Sequence, residues 1–163
     1  MLKVLIGAGS VAFGGALLTP AAVFVASPVK TGGGGTPHWV KTVRLDSLSD
    51  SQPKKVAIVA DEHDAWTLAK DVELGAVWLV RHGEAVSAFS VVCPHLGCSV
   101  NADADGKSFT CPCHTSAFGA DGKRMSGPSP RDMDALAVRI DDGYVMIDFH
   151  KYRIGIEERV AIG

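Results

Sequence analysis

Cys93-Pro94-His95-Leu96-Gly97-Cys98 and Cys111-Pro112-Cys113-His114-Thr115-Ser116 contain all four cysteines of the chain and two of its six histidines. Each box offers one Cys–His pair and keeps a second thiol in reserve. Two cysteines and two histidines, given in pairs, are what a 2Fe–2S cluster requires when imidazoles replace thiolates on one of its irons. The two boxes supply that set. The spare cysteine of each box could bridge the two loops covalently.

Two other uses of these residues compete. A structural zinc site draws on the same residue types, but zinc takes four ligands and the boxes present six. Binding zinc through the four thiols would strand both histidines. Simple disulfide stapling needs no histidine at a fixed offset, and small stapled domains are shorter and richer in cysteine. Pro94 and Pro112 each follow the first cysteine of a box, where they hold the preceding residue extended and remove one donor. That suits a loop whose remaining N–H groups point at sulfur.

Position by position, Cys-x-His-x-Gly-Cys followed by Cys-Pro-Cys-His-x-Ser resembles the Rieske iron–sulfur proteins. The resemblance implies that Cys93 and Cys111 bind one iron and that His95 and His114 bind the other. It further implies a Cys98–Cys113 disulfide, which points to the quinol-oxidising branch of the family. Gly127-Pro128-Ser129-Pro130 resembles the Gly-Pro-x-Pro loop of that branch, which packs over the cluster. The twelve residues between Cys98 and Cys111 resemble the short spacing of bf-type and menaquinol-type complexes. The resemblance is strong over roughly residues 85–150. One departure stands out: Ser116 is present, but Phe118 replaces the tyrosine of high-potential members. Losing a hydrogen bond to sulfur should lower the potential, because such bonds stabilise the more negative reduced cluster.

The function implied is electron transfer within a quinol–cytochrome c (or plastocyanin) oxidoreductase, with cytochrome b and a c-type cytochrome as partners. The resemblance makes His114 the ligand that hydrogen-bonds quinol, His95 the second exposed ligand, and Leu96 a shaper of the docking surface. A ligating imidazole keeps its other ring nitrogen for a proton, so one electron and one proton can be taken up together. Menaquinol is the favoured donor, within a dimeric complex, and the chain is not catalytic alone. Two alternatives are a redox subunit of a periplasmic molybdenum enzyme of the arsenite-oxidase type, and a non-redox zinc domain.

Outside the boxes, 16 Lys and Arg against 18 Asp and Glu among 163 residues leave no basic excess for nucleic acid. Val4 to Val29 carries no charged residue. Those 26 positions exceed the roughly 20 needed to cross a bilayer as a helix and the 7–15 of a signal peptide's apolar core. A buried helix so uniformly apolar would need a large core. The expectation is therefore a single-pass transmembrane helix over residues 1–30, with Pro20 kinking or ending it. No Arg-Arg pair marks a twin-arginine signal. Gly32-Gly33-Gly34-Gly35 has no preferred backbone well, which makes residues 31–38 a flexible tether. The resemblance adds that such a tether lets the cluster domain swing between partners. That domain occupies residues 39–150, on the oxidising, periplasmic side of the membrane where a disulfide persists, followed by a tail over 151–163 with no assigned role.

Short runs rich in β-branched and aromatic residues predict strands over 40–45, 55–59, 76–81, 85–92, 107–110, 135–140 and 144–149. Asp141-Asp142-Gly143 and His82-Gly83-Glu84 supply hairpin turns. The fold class is all-β: a small antiparallel sandwich or barrel with the boxes on loops at one end. Residues 46–54 read as loop. His38, His63, His82 and His150 read as solvated, and Trp39, Trp66 and Trp78 as packing or membrane-interface residues.

Overall fold

The computed structural model describes residues 2–26, 39–64 and 67–162, in two units, Met1–Gly34 and Gly35–Gly163. In the first, Leu2–Ala26 forms a 25-residue helix, α1, that continues through Pro20 rather than ending there. Ser10 and Thr19 turn their hydroxyls back onto the carbonyls of Ile6 and Gly15, so neither side chain needs an outside partner. Ile6, Phe13, Leu18 and Phe24 are exposed. Among the described residues no helix is long and apolar enough to cross a membrane, and the anchor expected from the uncharged run is a proposal, taken up below. The tether over 31–38, His38 and Trp66 lie outside the described residues.

The second unit is all-β, and its named strands pair antiparallel. β1 (Trp39–Arg44), β2 (Lys54–Asp64), β3 (Thr67–His82) and β4 (Ala85–Ser90) are followed by four short strands. These are β5 (Asn101–Ala102), β6 (Ser108–Thr110), β7 (Ala117–Gly119) and β8 (Arg124–Ser126). Next come β9 (Ala135–Asp141) and β10 (Tyr144–Asp148), and a tail hairpin of β11 (Lys151–Tyr152) and β12 (Ala161–Ile162). The large sheet has the order β1-β10-β9-β4-β3-β2, and β5-β6-β7-β8 form a small one. The end strands β1 and β2 also approach each other, which nearly closes the large sheet into a barrel.

Strand alternation divides the apolar side chains between two cores. Val77 and Leu79 of β3 and Ala88 of β4 point into the barrel with Ile58, Val145 and Ile147. Val80 and Phe89, from the same strands, join Val100, Phe109, Phe118 and Met133 under the small sheet. Trp78 packs there too, its ring 5.7 Å from Phe109, and its indole N–H donates to the Val100 carbonyl at 2.9 Å. The inserted sheet therefore rests on the outer face of β3 and β4.

The two hairpin turns form as expected. Asp142 and Gly143 both have positive φ, +48° and +74°, as a two-residue type I′ turn requires. The β2–β3 hairpin runs far past the expected 55–59 and 76–81, pairing out to Asp64 and Thr67. Residues 46–54 hold a 3-10 turn, Leu45–Ser47, and a bridge from Asp50 to Arg81. Arg139 sits 4.4 Å above the Trp39 ring. One feature differs from expectation. His150 Nε2 lies 3.1 Å from an Asp148 carboxylate oxygen, and the ring is half-buried rather than solvated. The tail over 151–163, which the sequence left without a role, pairs as β11–β12.

Candidate metal centre

The two boxes fold as one loop used twice. In the first, the Cys93 N–H donates to the Cys98 carbonyl at 2.8 Å, and the Gly97 N–H donates back to Cys93 at 3.0 Å. In the second, the Cys111 N–H donates to Ser116 at 2.8 Å, and Thr115 donates back to Cys111 at 3.1 Å. Gly97 and Thr115 occupy equivalent positions, and both have positive φ, +82° and +58°. Glycine adopts that conformation readily, whereas threonine is strained there. Strain of this kind persists only where its surroundings enforce it, and it gathers at functional sites.

Cys93 and Cys111 lead the two loops, both buried and both free thiols. Cys98 and Cys113 are joined in a disulfide with a Cα–Cα distance of 6.5 Å. The sulfurs of Cys98, Cys111 and Cys113 lie within 4.8 Å of one another, but the disulfide removes two of them as ligands. Burial pushes the Cys93 thiol above its ordinary pKa. The His95 backbone N–H opposes that rise, the adjacent Cys111 thiol adds to it, and the Ser116 hydroxyl pulls it back. A cation that displaces the thiol proton reverses this balance.

The histidine rings stand 4.8 Å apart between centroids and almost perpendicular, at 88°. His95 is half-buried and His114 exposed. His95 Nδ1 is buried with no hydrogen-bond partner. An orphaned buried ring nitrogen is costly unless something binds it, and a metal ion would. Two buried free thiols, two converging imidazoles and this orphan fit the two-Cys, two-His cluster.

Ser116 and the segment after β8 close the back of the site. Ser116 is fully buried, and its Oγ accepts the Ser129 N–H at 3.0 Å. Its hydroxyl proton is thereby free to point at the Cys93 sulfur, the interaction that pulls the thiol back. Gly127 lies against the second box with φ +88°, and a Cβ there would run into the Ser116 Cα. Only glycine permits that approach. Pro128 and Pro130 flank Ser129 in the same segment, whereas Leu96 is exposed beside the first box. Phe118 is fully buried opposite Phe109 and adds no hydroxyl to the site. Sequence reasoning missed Ser129, whose donor is a backbone N–H, and the tail, whose Gly155 N–H donates to the Pro94 carbonyl at 2.7 Å.

Paired Cys–His loops, one disulfide and a small sheet inserted into an antiparallel barrel define a histidine-ligated iron–sulfur protein. Residues 38–139 match the family model described as the Rieske [2Fe-2S] domain, and the chain belongs to that family. It is 30% identical over 135 residues to the menaquinol:cytochrome c reductase iron-sulfur subunit of Bacillus subtilis, covering 80% of this chain and 78% of that one. It is also 30% identical over 151 residues to the cytochrome b6-f complex iron-sulfur subunit of Gloeobacter violaceus, covering 90% and 80%. A solved naphthalene 1,2-dioxygenase with indole bound shares the fold alone, with a TM-score of 0.50 at 19% identity, covering 69% of this chain and 26% of that one.

Proposed function

We propose that this chain is the electron-transferring subunit of a membrane quinol–cytochrome c or plastocyanin oxidoreductase. Cys93 and Cys111 would hold one iron, and His95 and His114 the other. The single observation that carries the ligand set is the buried, unpartnered Nδ1 of His95, set beside a perpendicular His114 ring. The cluster, when bound, supplies a one-electron couple at a potential above that of all-cysteine ferredoxins. The protein's own residues do the rest. Cys93 and Cys111, sunk in the apolar layer, keep water from one side of the site. The exposed His114 would accept a hydrogen bond and a proton from a quinol hydroxyl. Leu96, exposed beside His95 in the first box, would offer an apolar docking contact.

Relatives named for menaquinol:cytochrome c reductase and cytochrome b6-f complexes support cytochrome b and a c-type cytochrome as partners, and a dimeric complex belongs to the same proposal. Menaquinol as donor is supported by the first of these names and by Phe118, whose missing hydroxyl favours a lower potential. The uncharged run from Val4 to Val29 supports a single-pass anchor. The disulfide supports an oxidising compartment for the cluster domain.

An EPR spectrum of the ascorbate-reduced chain tests the assignment. A rhombic signal of low average g, characteristic of histidine ligation, is expected. A silent spectrum with bound zinc would overturn the redox function and leave only the fold. His114→Ala is expected to abolish that signal and quinol oxidation together, and a retained signal would remove His114 from the ligand set.

A further inference from the structure

Arg131 and the tail after Lys151 have no part in the chemistry above, yet they meet directly behind the two boxes. The Arg131 side chain is 10% exposed and that of its partner Asp134 4%. Its Nε and Nη2 donate to the two Asp134 carboxylate oxygens at 2.9 and 2.8 Å. Nη1 donates to the Ile156 carbonyl, and Nη2 also donates to the Arg153 carbonyl at 2.8 Å. One guanidinium thus satisfies four acceptors, which its planar fork allows and an ammonium does not.

These bonds join the two cluster loops. The Arg153 and Ile156 carbonyls bracket Gly155, whose N–H holds Pro94 in the first box. On the other side, the Arg131 carbonyl accepts the Ser129 hydroxyl at 2.8 Å, and the Ser129 N–H holds Ser116 in the second box. The Asp134 carbonyl accepts the Ser90 N–H at 2.8 Å, anchoring the group to the end of β4. A buried ion pair is a poor source of net stability, so orientation is its better-founded role.

We propose that Arg131 is a positioning residue: it latches the tail to the first box and, through Ser129, aims the Ser116 hydroxyl at the Cys93 sulfur, thereby raising the potential of the bound cluster. The inference rests on the ligand set proposed above.

Arg131→Lys keeps the charge and breaks the fork. In the holoprotein we expect full cluster content, a lowered midpoint potential, and Gly155 amide exchange faster by an order of magnitude or more. Ser116→Ala should lower the potential strongly in the native background and little in the Arg131→Lys background, because both act through one hydrogen bond. An unchanged potential in Arg131→Lys, or equal Ser116→Ala effects in both backgrounds, would overturn the proposal. If Arg131→Lys does not fold, Arg131→Met with Asp134→Leu removes the pair without stranding a charge and is judged by the same two readings. Should the native chain bind no iron, the ligand assignment fails instead. Gly155 exchange then still tests the latch, and an unaltered rate in the variant would sink it.

Discussion

Phe118 stands in the same apolar layer as Cys93 and Cys111, where a single hydroxyl would change the electrostatics of the site. Phe118→Tyr is expected to raise the midpoint potential, because a donor near sulfur stabilises the more negative reduced state. Redox titration followed by EPR measures this, and identical potentials would remove the missing hydroxyl from the account. Gly127 carries a different kind of constraint. Its φ is +88°, and the Ser116 backbone occupies the space that a Cβ would need. Gly127→Ala must therefore strain its own backbone and push the second box aside. A loss of about 2–3 kcal/mol is expected, visible as a lower thermal midpoint and reduced iron content. Melting at the native temperature with full iron would show that the loop yields at no cost.

Among the elements, the box loops owe their geometry to their neighbours more than to local propensity. Thr115 holds a positive φ of +58° that threonine disfavours, so the loop depends on the bonds and the disulfide around it. The glycine tether makes an independent prediction. Replacing Gly32 to Gly35 with four prolines fixes φ and stiffens the segment into a spacer. Turnover of the assembled complex should fall while the cluster's EPR signal stays the same. Unaltered turnover would show that the domain has no need to swing.

For the molecule as a whole, the proposed anchor and the cluster domain are separable in function. The full chain is expected to stay with membranes through an alkaline carbonate wash, because an uncharged run from Val4 to Val29 buries more apolar surface in a bilayer than a peripheral contact does. Deleting residues 2–30 should release the protein and leave its EPR signal intact. Release of the full chain by the wash would reassign α1 to another role.

The chemistry of the site is legible in the amino acids alone. Cysteine and histidine in paired boxes narrow the metal group through donor identity, which is a property of the residues themselves. The strands with clear alternation and both glycine turns are legible too, since period-2 patterning and positive φ are properties of a few adjacent residues. Folding had to reveal that β3 and β4 serve two cores at once, that the boxes repeat one backbone shape, and that Ser129, Arg131 and Gly155 hold those boxes from behind. Those contacts pass mostly through backbone N–H and carbonyl groups, which nearly every residue possesses and no motif marks. They also join positions far apart along the chain, such as Pro94 and Gly155. Composition assigns the tail no role, because its purpose lies in where folding puts it.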